Sequence, residues 1–417
     1  MLQRFAGQGK LFVGKLNSMK SSTIELPSNV DLAIIGGGVI GTVTAYILAK
    51  AGFQVLVIER QDIGAGTSSS AAAAALLQTK TSAKKLSLAN TSLNLLDELH
   101  NQLEGRFEYA HTGSLLAANT DDELQLVRDM NTSLKSLGLD VEYLDGKQAR
   151  DSMPVLGENV IGASYSPQDA QINPLELVTA CAQAARANGA IFATFTELLG
   201  IESSGDKIVA VQTSAGRVLT DTVINAAGVW APKVADMVQV SLPISPLKGE
   251  LLITERRPPQ MQGTLIAAKY LLSKTRAEEN TSGQAVKRSV GITLVQIAHG
   301  NFVIGSTRDP EGMDRRSTYE GIRELVHQLL ELTPSLANIH LLRAYAGLRP
   351  LTPDGSPIIG RTLQLPGLIQ AAGFGGDGLA MSAITADMIL GILTGNQDNN
   401  LLANFSLDRF GTSETAS

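Results

Sequence analysis

Along the chain the hydrophobic positions change period several times, and each change marks a new element. Asp31–Ile35 is a short apolar run fit for a buried parallel strand, and Phe53–Ile58 is a second one, ending at Glu59. Between them Thr42–Ala51 carries Ala45, Leu48 and Ala49 on one helical stripe and stops at Gly52. Leu86–Leu103 and Asp121–Leu137 read as amphipathic helices, with Phe107–Ala118 between them as a strand. Pro174 suits the first turn of a helix over Leu175–Asn188. From Ala190 to Ile224 the pattern shortens to alternating strands, with turns at Ser204-Gly205-Asp206 and Ala215-Gly216, which predicts a small antiparallel meander. Leu242–Thr254 and Val290–Thr307 read as strands and Tyr319–Leu332 as a helix. Gly367–Gln370 is a further apolar strand, and Leu379–Leu393 a buried helix. Thr275–Ser289, polar and charged throughout, predicts a solvated loop, and the polar tail from Asn396 a loosely held end.

Length turns this list into two domains, because 417 residues exceed one ordinary core. Composition is globular, at 44% apolar and 18% charged. A net charge of −6 without a dense Lys/Arg stripe excludes a nucleic-acid partner. The single cysteine, Cys181, falls on the apolar stripe of Leu177, Ala184 and Ala185, so it reads as a buried thiol and offers no disulfide or metal cluster. The five histidines (100, 111, 299, 327 and 340) lack ligand spacing, so no metal site is expected. No run of 18 apolar residues predicts a membrane span. Residues 1–24 carry Arg4, Lys10, Lys15 and Lys20 and no acid, yet lack the apolar centre of a secretory signal. They read as an extension or an upstream start ahead of Met19, with a cytoplasmic location expected and peripheral membrane association left open.

The chemistry starts at Gly36-x-Gly38-x-x-Gly41, set between the first strand and its helix. Strand, glycine turn, helix, strand and the terminal acid Glu59 form the βαβ context that a dinucleotide cradle requires. Gly- and Ala-rich strand ends then recur far apart, at Gly64–Ser69, at Asn225–Gly228 and at Ala371–Gly378. Small residues there let a ligand approach the backbone, and a helix N-terminus beside them offers free N–H groups. A long ligand touching both ends of the chain fits FAD better than NAD.

Together these motifs make the chain resemble the D-amino-acid oxidase/glycine oxidase superfamily of FAD-dependent amine oxidoreductases, over nearly all of Asp31–Gly395. The residues carrying the resemblance are Gly36–Gly41 with Glu59 and Arg60, Gly66-Thr67-Ser68-Ser69, Ala226-Ala227-Gly228-Val229-Trp230-Ala231, Ala346–Pro350 with Thr352–Gly355, and Gly373–Gly378. The resemblance implies an α/β fold: a discontinuous, Rossmann-like FAD domain and a substrate domain on a mixed or antiparallel sheet. The boundaries it suggests are 29–106, 155–240 and 340–400 for the FAD domain and 107–154 with 241–339 for the substrate domain. Residues 1–28 would be an extension and 401–417 a tail.

Carried onto this sequence, the resemblance sets Gly36, Gly38 and Gly41 at the pyrophosphate and Glu59 on the adenosine ribose, with Val39, Ile40 and Arg60 among the cofactor contacts. Gly66, Thr67, Ser68 and Ser69 would lie near the pyrophosphate or flavin side, and Ala227, Gly228 and Trp230 would join the cofactor contacts. Gly376 and Gly378 would approach the isoalloxazine at N1 and C2=O, and Gly375, Asp377, Leu379, Gly347 and Arg349 would join the cofactor contacts. Arg349 stands in an apolar, Gly/Pro-rich setting where an unpaired guanidinium is costly. Its planar fork suits a carboxylate, either the substrate's, as the resemblance implies, or one of the protein's own in a structural ion pair. Tyr270 resembles an assisting tyrosine of glycine oxidase and reads equally as core packing.

The implied activity is oxidation of the C–N bond of a small amino acid or N-substituted amino acid by hydride transfer to flavin N5. FAD is expected to be non-covalent, since glycine occupies position 347, where the sarcosine-oxidase branch has a flavin-linking cysteine. The Leu294–Asn301 segment resembles the flavin subunits of heteromeric dehydrogenases acting on hydroxyproline, proline, opines or glycine, including hydrogen cyanide synthase. Partner subunits, a quinone or a dye therefore stand beside oxygen as acceptors, and a homo-oligomer stays open. A non-catalytic dinucleotide-binding scaffold is the alternative from another class.

Overall fold

The computed structural model of the chain describes residues 25–66, 74–80, 83–271 and 288–411. A six-stranded sheet carries the glycine turn. Its order is Ile358–Thr362, Leu365–Ala372, Val223–Asn225, Leu32–Ile35, Val55–Ile58, Ile191–Ala193. All neighbours run parallel except the first pair. Both faces are covered, which is why the central strands are unbroken apolar runs. Leu32 and Ile34 join a core with the helices Val39–Lys50, Ala83–Gln102, Pro174–Ala187 and Ser382–Thr394. Ala33 and Ile35, pointing the other way, pack with the meander Leu198–Ser204, Lys207–Thr213, Gly216–Leu219.

The second sheet has eight strands, in the order Leu341–Leu351, Ser245–Arg256, Asn301–Arg308, Ser289–Gln296, Thr264–Ala267, Ser114–Ala118, Gly162–Ser166, Glu142–Asp145. Only Thr264–Ala267 with Ser114–Ala118 is parallel. Helix Tyr319–Leu332 lays Leu325, Leu329 and Leu332 on this sheet. Its start is fixed electrostatically: Thr318 caps Gly321 N–H, and the fully buried Glu250 carboxylate accepts from Thr318 N and Oγ1. The register of the first two strands matters most for function. It sets Gly347 opposite Gly249 and Arg349 opposite Leu247.

Several elements follow the sequence pattern closely, including Tyr319–Leu332, and Asn173 with Pro174 starts a helix as expected, its side chain accepting from Leu175 and Glu176 N–H. The differences come from pairing, which is non-local. Phe107–Ala118 divides into Tyr109–His111 and Ser114–Ala118, which join separate sheets; Val290–Thr307 is a hairpin of two strands. Ile191–Ala193 and Val223–Asn225 leave the meander for the parallel sheet. Gly162–Ser166 and Leu341–Leu351 pair into the eight-stranded sheet, although the sequence division set 155–240 and 340–400 with the FAD domain. Ser28 O and Val30 N bond Leu219, so chain pairing begins inside the expected extension of 1–28; residues 1–24 lie outside the described residues, as do 275–287 of the expected loop.

The tail corrects an expectation. Asn399–Ala403 is helical, Phe405 is buried against the first core, and its carbonyl accepts from Ile359 N–H. Arg409 then pairs with Asp354 at 2.8 Å. Polarity had hidden these anchors, since one aromatic and one arginine hold the segment. Phe405→Ala is expected to cost about 3 kcal/mol, read as a lower denaturant midpoint; unchanged stability would show that the segment is dispensable.

Candidate active site

The glycine turn is shaped by close approach. Gly36 N–H bonds Ile58 O, and a Cβ on Gly36, at φ +113°, would stand 2.5 Å from Ala226 O. A Cβ on Gly41 would collide with the Gly36 carbonyl. Gly38 caps helix Val39–Lys50 and brings no side chain of its own, leaving the helix start for a ligand. At the end of the neighbouring strand, Glu59 is held in place by two backbone donors. Gly37 N–H and Gln61 N–H each reach one of its oxygens at 2.8 Å. Arg60 stacks 3.9 Å over the ring of Trp230.

From here one continuous cavity runs to the eight-stranded sheet. Gly36, Gly38, Val39, Ile40, Glu59, Arg60, Gly66, Ala227, Gly228 and Trp230 line its first half. Gly347, Arg349, Gly375, Gly376, Gly378, Leu379 and Tyr270 line its far half. Thr67, Ser68 and Ser69 lie outside the described residues. Gly41 serves the turn itself, and the Asp377 carboxylate is taken by Lys80, 2.6 Å away and 3% exposed.

The two halves meet at Arg349. Gly375 N–H bonds Pro350 O at 2.7 Å, and a Cβ on Gly376 would lie 3.8 Å from Arg349 Cδ and Nε. The guanidinium is aimed by uncharged groups: Nη1 donates to Thr307 O at 3.2 Å and Nη2 to Ser306 Oγ. Gly249 makes room for it, since a Cβ there would stand 2.7 Å from Cζ. No carboxylate pairs with Arg349 among the described residues, and Asp309 acts on it only as a neighbouring charge. Burial, then the neighbouring Arg308 charge, push its pKa down to about 10, which still leaves it protonated at neutral pH. A fork fixed by neutral partners at the end of this cavity has the chemistry to receive an anionic group.

Residues 31–390 match the family of FAD dependent oxidoreductases called DAO. The chain belongs to the DAO family. Glycine oxidase of Geobacillus kaustophilus is 30% identical over 91% of this chain and 97% of its own length. Its solved structure superimposes with a TM-score of 0.82 over 92% of this chain and 99% of that one. The L-proline dehydrogenase structure from P. horikoshii gives a TM-score of 0.81 at 28% identity, covering 92% of this chain and 98% of that one. Hydrogen cyanide synthase subunit HcnC of Pseudomonas aeruginosa is 28% identical over 86% of this chain and 91% of its own length.

The DAO-family cofactor fits the residues present. The turn is too tight for a Cβ at Gly36 or Gly41, Glu59 is pre-set at a strand end as a ribose acceptor would be, and the far wall is glycine backbone. Gly249, Ser306, Thr307 and Lys80 were not legible as site residues. They meet Arg349 or Asp377 only through strand register or a contact 297 residues apart, which no local spacing reports. No helix among the described residues is long and apolar enough to cross a membrane.

Because Glu59 offers a charged acceptor already oriented by two N–H donors, Glu59→Ala is expected to weaken FAD binding roughly 10- to 100-fold. Flavin retained per protein after gel filtration, and the dissociation constant of added FAD, read this out. Undiminished retention would remove Glu59 from the cofactor site.

Proposed function

We propose that the protein oxidises the C–N bond of a small amino acid or N-substituted amino acid, with Arg349 holding the substrate carboxylate. The observation that carries this reading is the unpaired Arg349 fork lying against the Gly376 turn. When bound, FAD supplies a hydride acceptor at N5. Arg349 orients the ligand by its carboxylate and so sets the α-carbon toward the cofactor position. Leu251, Val295 and Val303 form apolar wall, which limits water around the reacting bond. Tyr270 forms wall at the same end, half-buried.

As the α-C–H bond breaks and its hydride leaves, the nitrogen lone pair forms C=N and the amine loses a proton; water then hydrolyses the imine. Among the described residues no histidine lines the cavity, and the step as written takes the substrate in as the free amine. The only cysteine, Cys181, is fully buried in helix Pro174–Ala187, with burial pushing its thiol pKa up, and FAD is held without a cysteinyl link.

The likeness to HcnC supports a second reading, a flavin-bearing subunit of a heteromeric dehydrogenase, which differs only in where the electrons go. Gln296 lends it no weight. Its amide donates to Arg257 O, Pro258 O and Gly300 O and accepts from Gln260 N–H, so it fastens its own turn.

Anaerobic bleaching of the bound flavin by amino acids tests the activity, and Arg349 variants test the clamp. Arg349→Ala is expected to keep its flavin and lose on the order of a thousandfold in kcat/KM. Arg349→Lys should recover part of this, because it restores charge without the fork. Gly249→Ala, which displaces the guanidinium, should lose activity in the same direction. Preserved turnover per flavin in Arg349→Ala, with a lowered melting temperature, would make the arginine structural.

A further inference from the structure

Arg308 ends the strand Asn301–Arg308 and is only 7% exposed, yet its Nε has no hydrogen-bond partner. Among the described residues no carboxylate pairs with it. Its guanidinium stands over Tyr270, whose ring centroid lies 4.9 Å from Cζ. Tyr270 lines the far end of the cavity. Alternation along the strand puts Arg308 on the same sheet face as Ser306, the residue that accepts from Arg349. The Arg308 charge is accordingly one of the two causes that push the Arg349 pKa down.

Among the described residues the nearby acids compensate this pair of cations only in part, Asp309 being the one acid whose charge acts on Arg349. Asp309 is held by Arg288 Nε at 2.8 Å and Thr307 Oγ1 at 2.6 Å. Glu250 lies 3.4 Å from Lys248 and caps Thr318, while Glu311 also pairs with Lys248. A buried guanidinium without a counter-charge is costly, and stacking on one aromatic ring offsets a small part of that cost. The missing negative charge belongs on the ligand.

We propose that Arg308 is a specificity-determining residue, and that Arg308 and Arg349 together select an amine substrate carrying two carboxylates over one carrying a single carboxylate. The inference deepens the amine-oxidising reading and rests on it. Arg349 takes the carboxylate beside the reacting carbon. Arg308, across the Tyr270 ring, supplies the field that favours the second one. Two unit charges several ångströms apart at an effective dielectric near 20 correspond to about 10- to 50-fold in affinity.

Flavin-loaded protein is mixed anaerobically with acid/amide pairs: aspartate with asparagine and glutamate with glutamine in both enantiomers, and N-carboxymethylglycine with N-carbamoylmethylglycine. The readout is kcat/KM for flavin reduction, with flavin content and melting temperature measured alongside. At least one acid is expected to exceed its amide by about tenfold or more in the wild type. Arg308→Gln should collapse that ratio at unchanged flavin content, and Arg308→Lys should restore part of it. Amides reduced as well as acids by the wild type overturn the proposal, and this comparison needs no variant to fold. A ratio that survives Arg308→Gln overturns it as well. Reduction by monocarboxylic amino acids alone sinks the proposal while the amine-oxidising reading stands; no reduction by these or any other amine defeats both.

Discussion

A guanidinium that no carboxylate pairs with among the described residues is the feature around which the far end of the cavity is built. Arg349 lies on an interior strand face, and its nitrogens meet a backbone carbonyl and a hydroxyl, which orient the fork without neutralising it. A protein tolerates such a group only where the surrounding fold over-determines it. Here the restraints are the paired strands Ser245–Arg256 and Leu341–Leu351, the absence of a side chain at Gly249, and the glycine turn packed against the arginine stem. On the proposed reading a bound anion relieves the unfavourable charge, so the fold holds part of the free energy of recognition in advance.

The cofactor half is held by a different principle, steric exclusion. Its turn is pressed against the strand end at Ala226 so closely that backbone meets backbone, and Glu59 is locked by two N–H groups before any ligand arrives. The two halves lie on different sheets, and the chain returns from one to the other through Leu351, which bridges Phe374, and the Gly375 bond to Pro350. A junction at that point fixes where the Arg349 fork lies relative to the glycine turn at Gly375 and Gly376, and catalysis depends steeply on such positioning.

The glycine turn and Glu59 were legible as a cavity wall because their signals are local. Gly36, Gly38, Gly41 and Glu59 fall within one βαβ unit, where spacing and burial are set by neighbours in sequence. Arg349 stood out through chemistry, a cation in an apolar stretch. What faces it was not legible: Gly249 is 100 positions away, and Ser306 and Arg308 sit at the end of a strand whose hairpin break at Ile297–Gly300 the periodicity missed. Strand pairing also moved Gly162–Ser166 and Leu341–Leu351 into the second sheet, since alternation reveals a strand's faces but not its partners. The tail was misjudged because composition does not report that Phe405 finds a core.

The central claim is that the cofactor cradle and an anion receptor adjoin. It is tested most directly by titrating the flavin-loaded protein with a short carboxylate that cannot be oxidised, such as acetate or propionate, while recording the visible flavin spectrum. The expected result is a saturable shift of the flavin bands, absent with acetamide and propionamide and abolished in Arg349→Ala. A spectrum indifferent to the acids, or one that shifts equally in the variant, would contradict it.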